Sequence, residues 1–247
     1  MRTANPALTD KTFRGLRAVD ASNAMTVQGT VNKTGLLLAI LLVGAWWTWG
    51  IFFRSGNPAA VYPWIIGGAI GGLVVALVTV FKKEWAGFTA PAYALLEGFV
   101  LGGLSSVFEA MYPGIVIQAV GLTLGTLFGL LIAYKSGWIK VTENFKLGVV
   151  AATGGIFLVY MATWVLGIFG IHMPFIHESG IIGIGFSVFV VTVAALNLVL
   201  DFDFIERGAE AGAPKYMEWY GAFGLIVTLV WLYIEILRLL AKLRSRR

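Results

Sequence analysis

Residues 180–200 read GIIGIGFSVFVVTVAALNLVL and run directly into Asp201-Phe202-Asp203. The stretch carries no charged side chain. It meets the requirement of about 20 consecutive apolar residues for a helix to cross a bilayer's hydrocarbon core. Six further stretches match it or nearly do: Gly35–Phe53, Ala60–Phe81, Gly87–Phe108, Gly114–Tyr134, Leu147–Gly170 and Trp219–Leu240. Within all seven the only charged side chains are Glu97, Glu235 and Arg238. Length decides this reading, because a helix that is apolar on every side has little periodicity to detect. The expectation is an all-α membrane protein with seven transmembrane helices. They form one domain over residues 35–240, preceded by an N-terminal tail over 1–34 and followed by a basic tail over 241–247.

Composition excludes most alternatives. The chain has 247 residues, 58% hydrophobic and 13% charged, with a mean hydropathy of +0.84. An ordinary soluble domain carries about 25% charged and 45–50% apolar residues, and a disordered chain is poorer still in apolar side chains. There are no cysteines, which removes disulfides, thiolate metal sites and cysteine nucleophiles. The two histidines, His172 and His177, share a loop with Glu178. Two imidazoles and one acid fall short of a zinc set, and a solvated loop is the simpler reading.

No phosphate-cradling glycine loop with lysine, nucleophile-elbow serine or helical histidine pair is present. The glycine–x–glycine–aspartate motif of intramembrane aspartyl proteases is also missing, since Gly183-Ile184-Gly185 is followed by Phe186. A non-enzyme without a resident cofactor is therefore expected.

The net charge of +5 reports topology, with no nucleic acid implied. Lysine and arginine gather on the cytoplasmic side of membrane proteins. Twelve of them lie in the N-terminal tail and in the loops after the second, fourth and sixth stretches, against Arg54 alone in the alternate loops. This puts the N-terminus in the cytoplasm. The basic C-terminus (Arg238, Lys242, Arg244, Arg246, Arg247) would then lie outside if the last helix crosses fully, or inside if it is re-entrant.

The chain has 31 glycines, many four residues apart: Gly67 and Gly71, Gly68 and Gly72, Gly98 and Gly102, and Gly121, Gly125 and Gly129. Small residues at this spacing let helix backbones approach closely in lipid, so all of these faces are expected at helix contacts. In the tail, Phe13 and Leu16 flanked by Lys11, Arg14 and Arg17 suggest a short surface helix.

Acids within a membrane cost about 2.5–3.5 kcal/mol on insertion scales and mark function by default. Glu97 lies ten residues into the third stretch. Asp201 and Asp203 close the sixth, and Glu235 lies in the seventh with Arg238 one turn on. Asp201 and Asp203 point about 200° apart on a helix, so only one is expected to face the core. Asp201 is the choice, with Asp203 a solvated acid at the interface. Desolvation favours the protonated form of a buried carboxyl, and a second acid nearby favours it further. A pair of this kind can hold helices together through a shared proton, or supply oxygen ligands to Ca²⁺. Asp201 and Glu97 are the candidate ligands.

The run Ala90-Pro91-Ala92-Tyr93-Ala94-Leu95-Leu96-Glu97-Gly98-Phe99-Val100-Leu101-Gly102 resembles the third-helix signature of the Bax inhibitor-1 family, in its bacterial branch. So do Asn5-Pro6-Ala7-Leu8, the acid ending the sixth stretch, and Leu232-Tyr233-Ile234-Glu235-Ile236-Leu237-Arg238-Leu239-Leu240. The resemblance spans essentially the whole chain. It implies six helices around a central C-terminal one in the bacterial inner membrane. It also implies a pH-sensitive Ca²⁺ leak gated by acids on the sixth and seventh helices. Asp201 matches the first acid, and Tyr233-Ile234-Glu235 resembles the motif of the second.

Counting from the Gly212–Pro214 turn, however, leaves Asp201 and Glu235 roughly 15 Å apart in height at 1.5 Å per residue. An alignment on Arg238 puts Thr228 opposite the acid instead, and Glu97 is the other candidate partner. Two functions follow. One is a cation leak, with Ca²⁺ and protons as its ions. The other is a regulatory protein that binds a membrane-bound AAA protease through its tail without transporting anything.

Overall fold

A computed structural model of the chain describes residues 23–170 and 180–246. Among them are seven helices long and apolar enough to cross a membrane. They are α1 (Val27–Ser55), α2 (Tyr62–Phe81), α3 (Ala86–Met111), α4 (Ile115–Lys135), α5 (Glu143–Ile168), α6 (Ile181–Glu210) and α7 (Met217–Ser245). Single 3₁₀ turns at Pro58–Ala60 and Lys83–Trp85 lead into α2 and α3. The His172, His177 and Glu178 loop, the Asn5–Leu8 run and the possible surface helix around Phe13 lie outside the described residues.

Two helices extend well past the apolar stretches. Thr26 caps α1, its hydroxyl accepting from the Gly29 amide at 2.9 Å, so α1 begins inside the segment expected as tail. At the other end α7 continues to Ser245. A continuous 29-residue helix is roughly 43 Å long at 1.5 Å per residue. It is long enough to cross the hydrocarbon core in one piece, and it has no break at which a re-entrant segment would turn back.

Two contacts fix the ends of the bundle. Lys33 near the start of α1 pairs with Glu218 at the start of α7. Arg244 at the end of α7 donates to the Pro113 carbonyl between α3 and α4 at 2.7 Å. The face where α1 and α7 begin is called here the amino face, and the opposite one the distal face.

α7 is the central helix: 67% of its apolar window is buried, against 11% for α5. Helices α1, α3, α4 and α6 pack directly on it. α5 packs on α6 and reaches α7 through Tyr160, while α2 backs α3.

The tightest contact is α1 against α3, and glycine creates it. A Cβ on Gly98 would sit 3.0 Å from Gly44 Cα, and one on Gly102 would sit 2.6 Å from Ala45 Cα. On the other side of α3, a Cβ on Gly68 would sit 2.7 Å from the Leu96 carbonyl oxygen. Such backbone approach supplies the dispersion contacts that hold helices together where lipid removes the hydrophobic drive. The α4 glycines depart from the expectation. Gly121, Gly125 and Gly129 have open space where a Cβ would go, because α4 turns Ala119, Thr123 and Leu127 inward instead.

Candidate functional site

The acids singled out from the sequence fall into three separate places. Asp201 lies on α6, wholly covered at 0% exposure. One turn earlier on the same face, Asn197 donates to Thr153 Oγ1 of α5 at 2.9 Å and to the Val193 carbonyl at 2.8 Å. Asp203 is also buried, which corrects the expectation of a solvated acid and of a single inward-facing one. The reason is coverage from all sides: α1, α4, α5 and α7 all pack on α6, so positions 200° apart both meet protein.

Asp203 is neutralised by two cations. Its Oδ1 accepts from Arg207 Nε at 2.9 Å and its Oδ2 lies 3.3 Å from Lys146 Nζ. Lys146, whose side chain is 1% exposed, also pairs with Glu143 at 3.1 Å. A hydrogen bond from the Tyr134 hydroxyl to Glu206 joins α4 to α6 near this cluster. Counting charges treats Lys146 as a loop cation preceding Leu147. Its burial follows from the packing of α5 on α6, which no local pattern reveals.

Glu97 faces elsewhere. Its Oε1 would lie 3.1 Å from a Cβ on Gly72 of α2, so it occupies the space that glycine leaves open. It is half-buried. Among the described residues α2 packs on α3 and the flanking turns, so this carboxyl is directed away from α6. The structure does not bring Glu97 and Asp201 together, and no group of three or more acidic or histidine side chains suited to a metal ion occurs among the described residues.

Glu235 lies toward the distal face. The Tyr160 hydroxyl is 3.1 Å from each of its carboxylate oxygens, and Arg238 Nη1 donates at 3.0 Å. The Arg238 guanidinium stands 5.9 Å from the centre of the Tyr160 ring. These groups line a cavity of about 280 Å³ with Tyr112, Ser187 and Lys242. Tyr160 could not be picked out from the sequence, where it is one aromatic among many in an apolar run.

The register of the α6–α7 hairpin separates Glu235 from Asp201. Lys242 Nζ bonds Ser187 Oγ at 2.8 Å and the Gly183 carbonyl at 3.1 Å, and Gly221 packs against Ile205. Facing residues therefore have numbers adding to about 425–429, which sets Asp201 level with residues 224–228 and Glu235 level with 190–194. The two carboxyls differ by roughly 10–16 Å in height at 1.5 Å per residue. Thr228, buried and donating to the Gly224 carbonyl at 3.3 Å, is the α7 residue nearest the acid's level that was singled out from the sequence.

No curated protein and no solved structure matches the chain. The family model described as Bax inhibitor 1 like matches residues 5–245, almost its whole length. With that match and seven helices long and apolar enough to cross a membrane, the chain belongs to the Bax inhibitor-1-like family of integral membrane proteins.

Proposed function

We propose that this protein is a pH-sensitive cation leak in the bacterial inner membrane, with Ca²⁺ as the permeant ion and its amino face in the cytoplasm. In this reading it performs no catalysis. The observation that carries the reading is the complete burial of the Asp201 carboxyl on the helix packed most extensively against the central α7. An ionised carboxylate inside a low-dielectric bundle costs several kcal/mol, so gain or loss of one proton there changes the energy of the closed packing. Asp203, Lys146 and Arg207 form the charged rim beside it. The Glu235–Tyr160–Arg238 group forms a second polar layer toward the distal face, and Glu97 lies outside this line.

The test is Ca²⁺ flux from liposomes containing the purified protein, followed from acid to alkaline. The expected result is a rate that changes with pH in the native chain and one far less responsive in Asp201→Asn. Flux equal to protein-free liposomes at every pH overturns the proposal. Capture of a membrane-bound AAA protease by a chain that passes no ions would transfer the assignment to a regulatory role.

A further inference from the structure

Helices α1 and α4 both pack on α7 but do not pack extensively on one another among the described residues. Between them a cavity of about 460 Å³ reaches inward to Ile226, Leu229 and Val230 of the central helix. We infer that this crevice is a binding site for one acyl chain of a membrane lipid, seated directly against α7.

Three observations select that occupant. The mouth is continuous with the lipid-facing surface: Leu42 and Trp46 of α1 and Leu124 of α4 line the cavity and are 63%, 77% and 39% exposed. Along α1 the lining runs from Leu38 to Trp49, roughly 16 Å at 1.5 Å per residue, which gives an elongated slot parallel to the lipid chains.

The few hydroxyls in the wall are already bonded within the protein. Ser105 Oγ and Tyr233 Oη bond each other at 2.6 Å, and Thr123 donates to the Ala119 carbonyl at 2.8 Å. Water held in a cavity needs two to four polar partners. The slot offers it almost none, so a methylene chain fills the space that water leaves. The volume falls within the range of small-molecule pockets, about 300–1,000 Å³.

The site is tested independently of ion flux. The protein is reconstituted in vesicles of phosphatidylcholine doped with a phosphatidylcholine carrying a photoreactive diazirine at mid-chain. After illumination, labelled residues are mapped by mass spectrometry. Label on α7 between Ile226 and Tyr233 is expected, together with label on plainly lipid-facing residues such as Ile70 and Phe157. Ala45→Phe and Val120→Trp each fill the slot from one wall. Loss of the α7 label in either variant, with the lipid-facing label retained, supports the site. An unlabelled α7 in the native chain overturns it, as does α7 label that persists in both filled variants. A chain that elutes as a dimer on size-exclusion chromatography and becomes monomeric in Ala45→Phe or Val120→Trp would also overturn it, by assigning the slot to a second copy of the chain.

Discussion

Lys146 Nζ lies 3.3 Å from Asp203 Oδ2, and the lysine side chain is 1% exposed. This pair ties α5 to α6 beside Asp201. Removing one partner of a buried ion pair leaves the other charge uncompensated, which costs about 3–5 kcal/mol. Asp203 keeps Arg207 as a second partner, so Lys146→Met is expected to fall at the lower end, a loss of about 3 kcal/mol. Denaturation of the detergent-solubilised protein measures it. Lys146→Met combined with Asp203→Leu should recover much of that loss, because the charges that lose a partner are then Arg207 and Glu143, whose side chains are 32% and 72% exposed and reach solvent.

The glycines divide into two classes with opposite expected behaviour. Gly102→Val drives a side chain into the α1 backbone, where even a Cβ would sit 2.6 Å from Ala45 Cα. It should prevent stable assembly, seen as loss of the monodisperse peak on size-exclusion chromatography. Gly125→Ala meets open space and removes a helix penalty of about 1 kcal/mol. It should leave the melting temperature unchanged or raise it.

The two acids Asp201 and Glu97 are separable by flux. Asp201→Asn should flatten the pH dependence of Ca²⁺ release from liposomes. Glu97→Gln should leave it largely intact, because that carboxyl fills the gap at Gly72 on α2 and is directed away from α6. A pH profile altered by Glu97→Gln and untouched by Asp201→Asn would move the sensor to the α2–α3 contact.

The cysteine-free sequence makes topology directly measurable. Single-cysteine variants Ser136→Cys, at the amino face after α4, and Ser245→Cys, at the distal end of α7, should label from opposite sides. In intact cells an impermeant maleimide is expected to reach Ser245→Cys and to reach Ser136→Cys only after lysis. The reverse pattern would invert the orientation drawn from the distribution of lysine and arginine.

Much of the fold could be read from residue type alone. Each apolar stretch coincides with a helix, since lipid forces every backbone amide into an internal hydrogen bond and a helix satisfies this locally. Helix ends were less accessible. The start of α1 depends on a threonine cap and an ion pair from Lys33 to Glu218, and the second of these joins segments almost two hundred residues apart. The α4 glycines could not be assigned to a contact, because spacing gives a face but not what that face meets.

Amino-acid type and order by themselves determined that the chain crosses a membrane seven times, that α7 carries an acid in its apolar interior, and that Asp201 closes the sixth span. Those conclusions rest on transfer free energies, which each segment pays independently of its neighbours. Tertiary packing alone decided what each acid meets. It covered both Asp201 and Asp203, directed Glu97 toward α2, joined Glu235 to Tyr160 and Arg238, and opened the slot between α1 and α4. These outcomes depend on how five or six helices are rotated and shifted against one another. That arrangement is set by side-chain fit across contacts distant in sequence, and no single span encodes it.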